Sequence, residues 1–212
     1  MYKHFFKRVI DIVCSLIALP FVLLVIAVCA PLIWFTDKGP IFYNATRRGR
    51  DGKTFTMYKL RSMSVNAPDL RNADGSTYTG KNDPRVTKIG KILRKTSLDE
   101  FPQFLNVLKG DMSLIGPRPT LATVPYEELD DIRKKRLTVR PGVTGYTQAY
   151  YRNSISQDEK FAYDAEYAET VTFWLDIKIL FMTVYSVIAC KNINATEQPV
   201  TVPAAEEAKV GE

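Results

Sequence analysis

The chain has 212 residues, enough for one domain of ordinary size, and carries 29 Lys and Arg residues against 23 Asp and Glu residues. The resulting net charge of +6 and pI near 9.1 suit an anionic partner such as nucleic acid, anionic lipid or a phosphorylated substrate. The single histidine, His4, excludes a serine-hydrolase triad and a histidine-rich zinc site, and the three cysteines, Cys14, Cys29 and Cys190, lie in apolar stretches that predict reduced, packed thiols.

The first predicted element is an apolar segment over residues 12–35. It contains no charged residue and exceeds the roughly 20 residues that span the hydrocarbon core of a bilayer. Basic residues precede it, as in a signal peptide, and Val28-Cys29-Ala30 resembles a cleavage site, but Pro31 directly afterwards argues against cleavage. We therefore expect residues 1–38 to form an N-terminal membrane helix that stays in the chain.

The topology of this helix depends on a proline near its middle. Pro20 removes an amide donor and clashes with the carbonyl of Leu16, which predicts a kink or break, and Ser15 could bond a carbonyl freed there. Both flanks of the segment are basic. Because basic residues near membrane helices tend to stay in the cytoplasm, both ends of the segment are predicted to be cytoplasmic. A re-entrant helix, which dips into one leaflet and returns, satisfies both observations. A straight spanning helix is the alternative.

The next part of the chain predicts a hairpin, a loop and a basic helix. Two β-prone runs flank a turn signal at residues 50–53 and predict a short hairpin over residues 41–59. Residues 64–84 are polar and predict a long surface loop. Residues 85–95 predict a helix whose lysines form a solvated face. Arg94 is its residue nearest to the acidic pair that follows.

That acidic pair is Asp99-Glu100. Ser97 and Glu100 have the spacing of a capping box, so a helix is predicted to begin there and to end at Gly110. Asp99 then lies in the first turn, where the helix dipole and free amides favour an ionised carboxylate. Such a carboxylate can act as a nucleophile or a metal ligand, and simple complementation of the helix dipole is the alternative.

The remaining elements complete an α+β, mostly helical domain. Residues 126–137 predict a charged helix, and a rigid Pro/Gly loop follows that presents Arg140. Residues 173–190 predict a second apolar helix, whose two internal charges make it interfacial or core rather than membrane-spanning. Residues 197–212 are rich in Pro, Ala and Glu and predict a disordered tail, which leaves residues 39–196 as the compact domain.

Five motifs stand in order along the chain: Lys7-Arg8 with Asp11; Gly39-Pro40-Ile41-Phe42 with Arg48-Gly49; Tyr58-Lys59-Leu60-Arg61-Ser62-Met63; the block over residues 97–119; and Arg140-Pro141-Gly142-Val143-Thr144-Gly145. Over about residues 7–190 they resemble the bacterial sugar transferase family, the small monotopic polyprenyl-phosphate phosphoglycosyl transferases. The chain departs from the family at three places. Leu19 precedes Pro20 where a serine often stands, Tyr146 replaces a tryptophan, and Tyr151 replaces a glycine.

The resemblance implies transfer of a sugar phosphate from a UDP-sugar to polyprenyl (undecaprenyl) phosphate, with release of UMP, at the cytoplasmic face of the bacterial inner membrane. It implies that Asp99 is the nucleophile that forms a covalent phospho-sugar intermediate, and that Asp99 and Glu100 hold Mg²⁺. Four basic residues are candidates for contacts with substrate phosphates: Lys59, Arg94, Arg118 and Arg140.

The resemblance also implies a re-entrant helix, a short hairpin and interfacial helices around a compact catalytic domain, which initiates polysaccharide or glycoconjugate assembly beside downstream glycosyltransferases. Two other classes of function compete with this interpretation. A catalytically silent membrane scaffold is disfavoured by the intact Asp99-Glu100 pair. A membrane-tethered nucleic-acid binder lacks any sequence motif that supports it, so no nucleic-acid partner is expected.

Overall fold

The computed structural model describes residues 1–72, 78, 80, 83–152, 154–189 and 200–201. Within these residues the chain is mostly helical with short strands, as the sequence predicts. The described helices are α1 (Lys7–Asp37), α2 (Lys88–Thr96), α3 (Gln103–Lys109), α4 (Asp131–Arg136), α5 (Tyr146–Tyr150), α6 (Gln157–Thr170) and α7 (Phe173–Ile188), and a π-helical turn over Tyr2–Phe6 precedes α1.

The strands form three short pairings. They are β1 (Ala45–Arg48) with β2 (Thr54–Met57) and β3 (Arg71–Asn72) with β6 (Val200–Thr201), both antiparallel, and β4 (Ser113–Ile115) with β5 (Gly142–Thr144), which is parallel. The first pairing confirms the predicted hairpin. Apart from β6, the predicted tail over residues 197–212 lies outside the described residues, as does Cys190.

Helix α1 is the one described helix that is long and apolar enough to cross a membrane. It continues through Pro20, so the predicted break of the helix is not seen, and it ends where Lys38 adopts a left-handed conformation. Ser15 is buried and its Oγ has no hydrogen-bond partner within the described residues, so the predicted bond to a freed carbonyl does not form either. The position of α1 in a membrane stays a prediction.

One stripe of α1 packs against the rest of the protein along the whole length of the helix. Its buried members are Lys7, Asp11, Ser15, Val22, Cys29 and Ile33. At the N-terminal end, the Asp11 carboxylate accepts hydrogen bonds from Ser113 Oγ and Leu114 N, at 3.0 and 2.9 Å. At the other end, Asp37 forms a two-pronged ion pair with Arg61, at 2.5 and 2.6 Å. Both ends of α1 therefore contact the same compact domain.

The opposite face of α1 is apolar and exposed. Its large side chains are Val9, Ile10, Val13, Leu16, Ile17, Phe21, Leu23, Leu24, Val28, Leu32, Trp34 and Phe35. A second exposed apolar face lies on α7 and consists of Phe173, Trp174, Leu180, Phe181, Val184, Tyr185 and Ile188. Exposed apolar surface of this extent marks an interaction with a membrane or a protein. Cys14, predicted to be packed, is an exposed free thiol on α1, whereas Cys29 is buried and free.

A buried polar network joins the N-terminal region to α7. The Asp176 carboxylate accepts hydrogen bonds from Lys7 Nζ at 2.5 Å, Tyr2 OH at 2.6 Å and Tyr167 OH at 2.6 Å. Burial, and then the Asp176 charge, raise the pKa of Tyr167 well above its ordinary range, so its phenol remains a donor. The charge of Asp176 is therefore buried and paired inside the domain, whereas the charge of Lys178, also on α7, is exposed.

Two helices begin later than the sequence pattern predicts. Helix α2 starts at Lys88 because Thr87 Oγ1 accepts the hydrogen bond of Gly90 N, at 3.0 Å. Helix α4 starts at Asp131 because Asp130 accepts that of Arg133 N, at 2.7 Å. Side chains that cap a helix fix its first turn, and here they leave residues 85–87 and 126–129 outside the helices.

Gly90 is expected to be indispensable to the packing of α2. A methyl group there would lie 1.8 Å from the backbone oxygen of Ser62, so Gly90→Ala is expected to lower the free energy of unfolding by about 1–3 kcal/mol. Helix propensity alone predicts the reverse, because alanine favours helices over glycine. Denaturant unfolding in detergent micelles decides between them, with exposed Lys88→Ala in the same helix as the control. Equal or higher stability of Gly90→Ala would contradict this packing.

Candidate active site

The two carboxylates lie on a 3₁₀ turn, Leu98–Glu100, between α2 and α3. Ser97 has a left-handed conformation (φ 58°) because it ends α2, and its side chain makes no capping hydrogen bond. The predicted capping box is therefore wrong. Glu100 turns instead towards basic side chains. The predicted end of the next helix is confirmed, since Gly110 caps α3 with φ 101°.

Asp99 is only 2% exposed, and Lys59 is its charge partner. Lys59 Nζ lies 2.9 Å from Asp99 Oδ2 and 3.4 Å from Glu100 Oε1, so one cation serves both carboxylates. A backbone hydrogen bond holds the segments of Lys59 and Asp99 together, because Leu60 N donates to Asp99 O at 2.9 Å. Asn106, fully buried in α3, accepts from Tyr58 N at 2.9 Å and fixes the segment that carries Lys59.

Glu100 binds a second cation. Arg118 Nη2 lies 3.2 Å from Glu100 Oε1. Burial raises the pKa of Glu100, but the charges of Lys59 and Arg118 outweigh it and lower that pKa to about 2. Glu100 is therefore ionised at any pH near neutrality. The Arg118 side chain is 56% exposed, which leaves the rest of its guanidinium fork open to a ligand.

Arg94 approaches the acidic pair from α2. Its Nε donates to Ser62 Oγ at 3.0 Å, and its Nη1 lies 4.0 Å from Asp83 Oδ2. Burial lowers the pKa of Arg94, and the charges of Asp99 and Asp83 oppose that effect. Arg94 is thus held within the electrostatic reach of Asp99 rather than in direct contact with it.

The sequence did not predict the residues that hold the backbone of Arg118 in place. Arg136 Nη2 donates to the backbone oxygen of Arg118 and to Asp164 Oδ2, both at 2.7 Å, and Arg136 and Asp164 are both buried. Thr147 Oγ1 donates to the same carboxylate at 3.1 Å, and the Arg136 guanidinium lies over the Phe161 ring at 4.9 Å. No local pattern signals this group, because its members come from α4, α5 and α6.

An open cleft of about 2030 Å³ brings most of the predicted residues together. Five of them line it: Lys59, Arg94, Asp99, Glu100 and Arg118. The four clustered rings of Tyr146, Tyr150, Tyr151 and Tyr163 do not line the cleft. Tyr146 and Tyr151, which depart from the family pattern, both contact Tyr163 of α6: the Tyr151 ring stacks on it at 5.1 Å, and the Tyr146 ring lies 5.8 Å from it.

The structure does not bring Arg140 into the cleft. Its Nε donates to Gly110 O at 2.9 Å, and it lines a separate cavity beside Arg8 and Arg50. The parallel pairing of β4 with β5 causes this placement, because it sets Pro141 against Ser113, whose N donates to Pro141 O at 2.8 Å. Arg140 as a contact for the substrate phosphates is therefore not supported by the geometry.

The acidic pair is the candidate metal site. The described residues hold no group of three or more His, Cys, Asp or Glu side chains that could bind an ion. Asp99 and Glu100 offer two adjacent carboxylates on the wall of an open cleft. This donor set fits Mg²⁺, which takes one or two carboxylates and completes its shell with water and phosphate oxygens.

Comparisons with known proteins converge on one family. The family model described as "Bacterial sugar transferase" matches residues 2–190. The chain is 41% identical over 196 residues to the galactosyl transferase CpsE of Streptococcus agalactiae, covering 88% of this chain and 43% of that protein. It is 40% identical over 198 residues to the undecaprenyl-phosphate galactose phosphotransferase of Salmonella typhimurium, covering 85% and 40%.

A shorter relative matches nearly end to end. The chain is 38% identical over 191 residues to the uncharacterized sugar transferase EpsL of Bacillus subtilis, covering 90% of this chain and 91% of that protein. By contrast, the chain spans about two fifths of the length of CpsE and of the Salmonella protein.

Proposed function

The chain belongs to the bacterial sugar transferase family, and we propose that it transfers a sugar phosphate from a UDP-sugar to a polyprenyl phosphate at a membrane surface. The buried Asp99 carboxylate, with Lys59 at 2.9 Å and Glu100 beside it, is the observation that carries this proposal. The names of relatives support this proposal. One relative, from Klebsiella pneumoniae, is named UDP-glucose:undecaprenyl-phosphate glucose-1-phosphate transferase.

Asp99 acts as the nucleophile. A carboxylate oxygen of Asp99 attacks the sugar-bearing phosphorus of the UDP-sugar, the bond from that phosphorus to the bridging oxygen breaks, and UMP leaves with the electron pair. An oxygen of the polyprenyl phosphate then attacks the same phosphorus, which frees the Asp99 carboxylate and forms a lipid diphosphate-linked sugar. Splitting the transfer in this way lets two bulky substrates react in turn at one residue.

The basic residues hold the phosphates for this attack. The Lys59 charge prevents mutual repulsion between Asp99, Glu100 and an incoming diphosphate. The open part of the Arg118 fork binds phosphate oxygens, and Arg94 adds positive charge at the edge of the cleft. Asp99 and Glu100 would hold Mg²⁺. When bound, the ion neutralises charge on the diphosphate and the leaving group.

The apolar faces suit a monotopic position on the membrane. Both ends of α1 contact one domain, through Asp11 with Ser113 and Asp37 with Arg61, and this supports a helix that enters and leaves on one side. The exposed apolar faces of α1 and α7 would enter the lipid. The proposed location of the reaction is the cytoplasmic face of the bacterial inner membrane, where a soluble nucleotide sugar, a lipid phosphate and downstream glycosyltransferases can meet.

The assay is release of UMP. Purified protein, Mg²⁺ and polyprenyl phosphate are supplied with a panel of UDP-sugars, and one of the sugars is expected to yield UMP together with a lipid diphosphate-linked sugar. A panel that covers hexoses and N-acetylhexosamines without any UMP release would contradict the proposed function and favour a silent scaffold.

Loss of the Arg118 side chain is expected to weaken use of the nucleotide sugar. Arg118→Ala should raise the KM for the UDP-sugar by about tenfold or more, with a smaller fall in kcat, because the guanidinium binds phosphate before and during the reaction. Arg118→Lys keeps the positive charge but loses the two-pronged guanidinium, so its KM should lie between those of the parent protein and Arg118→Ala. Steady-state UMP release measures both constants, and an unchanged KM in Arg118→Ala would place the diphosphate elsewhere.

The topology of α1 is tested by cysteine labelling. In a background without the native cysteines, His4→Cys and Lys53→Cys should react with a membrane-impermeant maleimide from the same side, because both ends of α1 contact one domain. Intact cells and inverted membrane vesicles supply the two sides, and the cysteine-free background is the control. Labelling from opposite sides would establish a spanning helix.

A further inference from the structure

A second cavity, of about 120 Å³, lies beside the N-terminal end of α1 and away from the cleft. Its lining is strongly basic and consists of Lys3, His4, Lys7, Arg8, Asp11, Arg50, Asp51, Ser113, Thr138, Val139, Arg140 and Val171. We refer to it as the basic cavity. None of these residues lines the cleft that holds Asp99, so the proposed reaction does not account for it.

Two of the cations in the basic cavity have carboxylate partners. Lys7 pairs with Asp176 at 2.5 Å, and Arg50 pairs with Asp51 at 3.2 Å on the surface. Asp11 is the remaining carboxylate of the lining, and it already accepts hydrogen bonds from Ser113 Oγ and Leu114 N.

The other three cations bind only neutral backbone oxygens among the described residues. Lys3 Nζ donates to Ala168 O at 2.7 Å, and Arg8 donates to Val107 O and Leu108 O at 2.5 and 3.0 Å. Arg140 donates to Gly110 O through Nε alone, which leaves both Nη groups without a protein partner in the described part of the chain. The basic cavity therefore carries more positive charge than its carboxylates balance.

The arginines of the basic cavity repel one another. Burial lowers the pKa of Arg140, the charges of Arg50 and Arg8 lower it further, and the charges of Asp11 and Asp51 oppose these effects. Like charges held together in a partly buried site are stabilised by a bound anion, and guanidinium groups match the oxygens of a phosphate group. The charge distribution therefore favours binding of an anion that has several oxygen atoms.

Aromatic residues that are close in sequence to the lining of the basic cavity indicate where that anion comes from. Phe5 directly follows Lys3 and His4 of the lining, and Phe5 is 62% exposed. On the other side, Val171 leads into Phe173 and Trp174, and Trp174 is 77% exposed, while Tyr2 packs edge-on against Phe173 at 5.8 Å. Aromatic rings beside basic side chains are typical of the level of lipid headgroups in a bilayer.

We propose that the basic cavity binds the phosphate of an anionic phospholipid headgroup, with Arg50, Arg140 and Lys3 as its ligands. The bound lipid would hold the N-terminal end of α1 at the headgroup level, while the neighbouring aromatic rings contact its acyl chains. The lipid is a structural ligand here and not the acceptor of the reaction, because the cavity contains neither Asp99 nor Glu100.

The test uses the thermal unfolding of the full chain in neutral detergent micelles. Dihexanoyl-phosphatidylglycerol is titrated, and it is expected to raise the Tm with a saturable dependence that yields an apparent Kd. Dihexanoyl-phosphatidylcholine and inorganic phosphate are titrated in parallel, and each is expected to give a much smaller shift at the same concentration. Equal shifts from phosphatidylcholine, or from free phosphate, would overturn the assignment to an anionic lipid.

Variants locate the site. Arg50→Gln is suited to this purpose because Arg50 is on the surface and its side-chain partner is the adjacent Asp51, so the fold should survive. It is expected to raise the apparent Kd for phosphatidylglycerol about tenfold, and Arg50→Gln/Arg140→Gln should remove saturable binding. Exposed Lys88→Gln loses the same charge outside both cavities and should bind as the parent does. An unchanged Kd in Arg50→Gln and in the double variant would overturn the proposal.

Discussion

Asp99→Asn is expected to abolish sugar-phosphate transfer, with UMP release reduced by at least about 10³-fold. An amide cannot attack phosphorus as a carboxylate does, and Glu100, the other carboxylate beside Lys59, is also held by Arg118. The covalent step supplies a second measurement. Without acceptor lipid, the parent protein should become labelled by a UDP-sugar that carries ³²P in the sugar-bearing phosphate, and Asp99→Asn should not.

Two variants make this result interpretable. Asp131→Asn removes an exposed carboxylate from α4, outside the cleft, and should retain full activity. Glu100→Gln keeps the nucleophile and should retain labelling at a reduced rate, because it loses the partner of Lys59 and Arg118 and one of the two carboxylates proposed to hold Mg²⁺. An Asp99→Asn protein that folds and keeps full UMP release would refute the mechanism.

The acidic pair on which the sequence prediction centres does line the cleft, but its predicted local structure is wrong. A capping box needs an extended Ser97, whereas Ser97 ends α2 in a left-handed conformation. One residue cannot do both. Spacing rules examine one helix at a time, so they do not detect that the preceding helix runs up to the same residue. Gly110 was predictable because its role involves α3 alone.

Contacts between distant parts of the chain account for the other differences. Arg118 was identified from its Pro-rich loop, but its support by Arg136 and Asp164 joins elements that no local pattern connects. Arg140 was predicted to bind substrate phosphates because it stands on a similar loop. The parallel pairing of β4 with β5, which places it at Gly110 instead, is invisible to local propensity.

Asp176→Asn is expected to be the most destabilising conservative substitution outside the cleft. The Asp176 carboxylate is the common acceptor for Lys7, Tyr2 and Tyr167. An amide would leave the buried Lys7 ammonium without its direct carboxylate partner, at a cost of about 3–5 kcal/mol in the free energy of unfolding. That is a large part of the stability of an ordinary domain, and denaturant unfolding in detergent micelles measures it.

Three further variants separate charge from hydrogen bonding at Asp176. Tyr167→Phe removes one donor and should lower the stability by about 1–2 kcal/mol. Lys7→Met/Asp176→Asn removes both charges and should recover part of the loss, because the penalty arises from an unpaired buried cation. Glu169→Gln breaks an exposed ion pair with Lys135 and should change stability by less than about 1 kcal/mol. If Asp176→Asn behaved like Glu169→Gln, the N-terminal region would be joined to α7 by its apolar contacts alone.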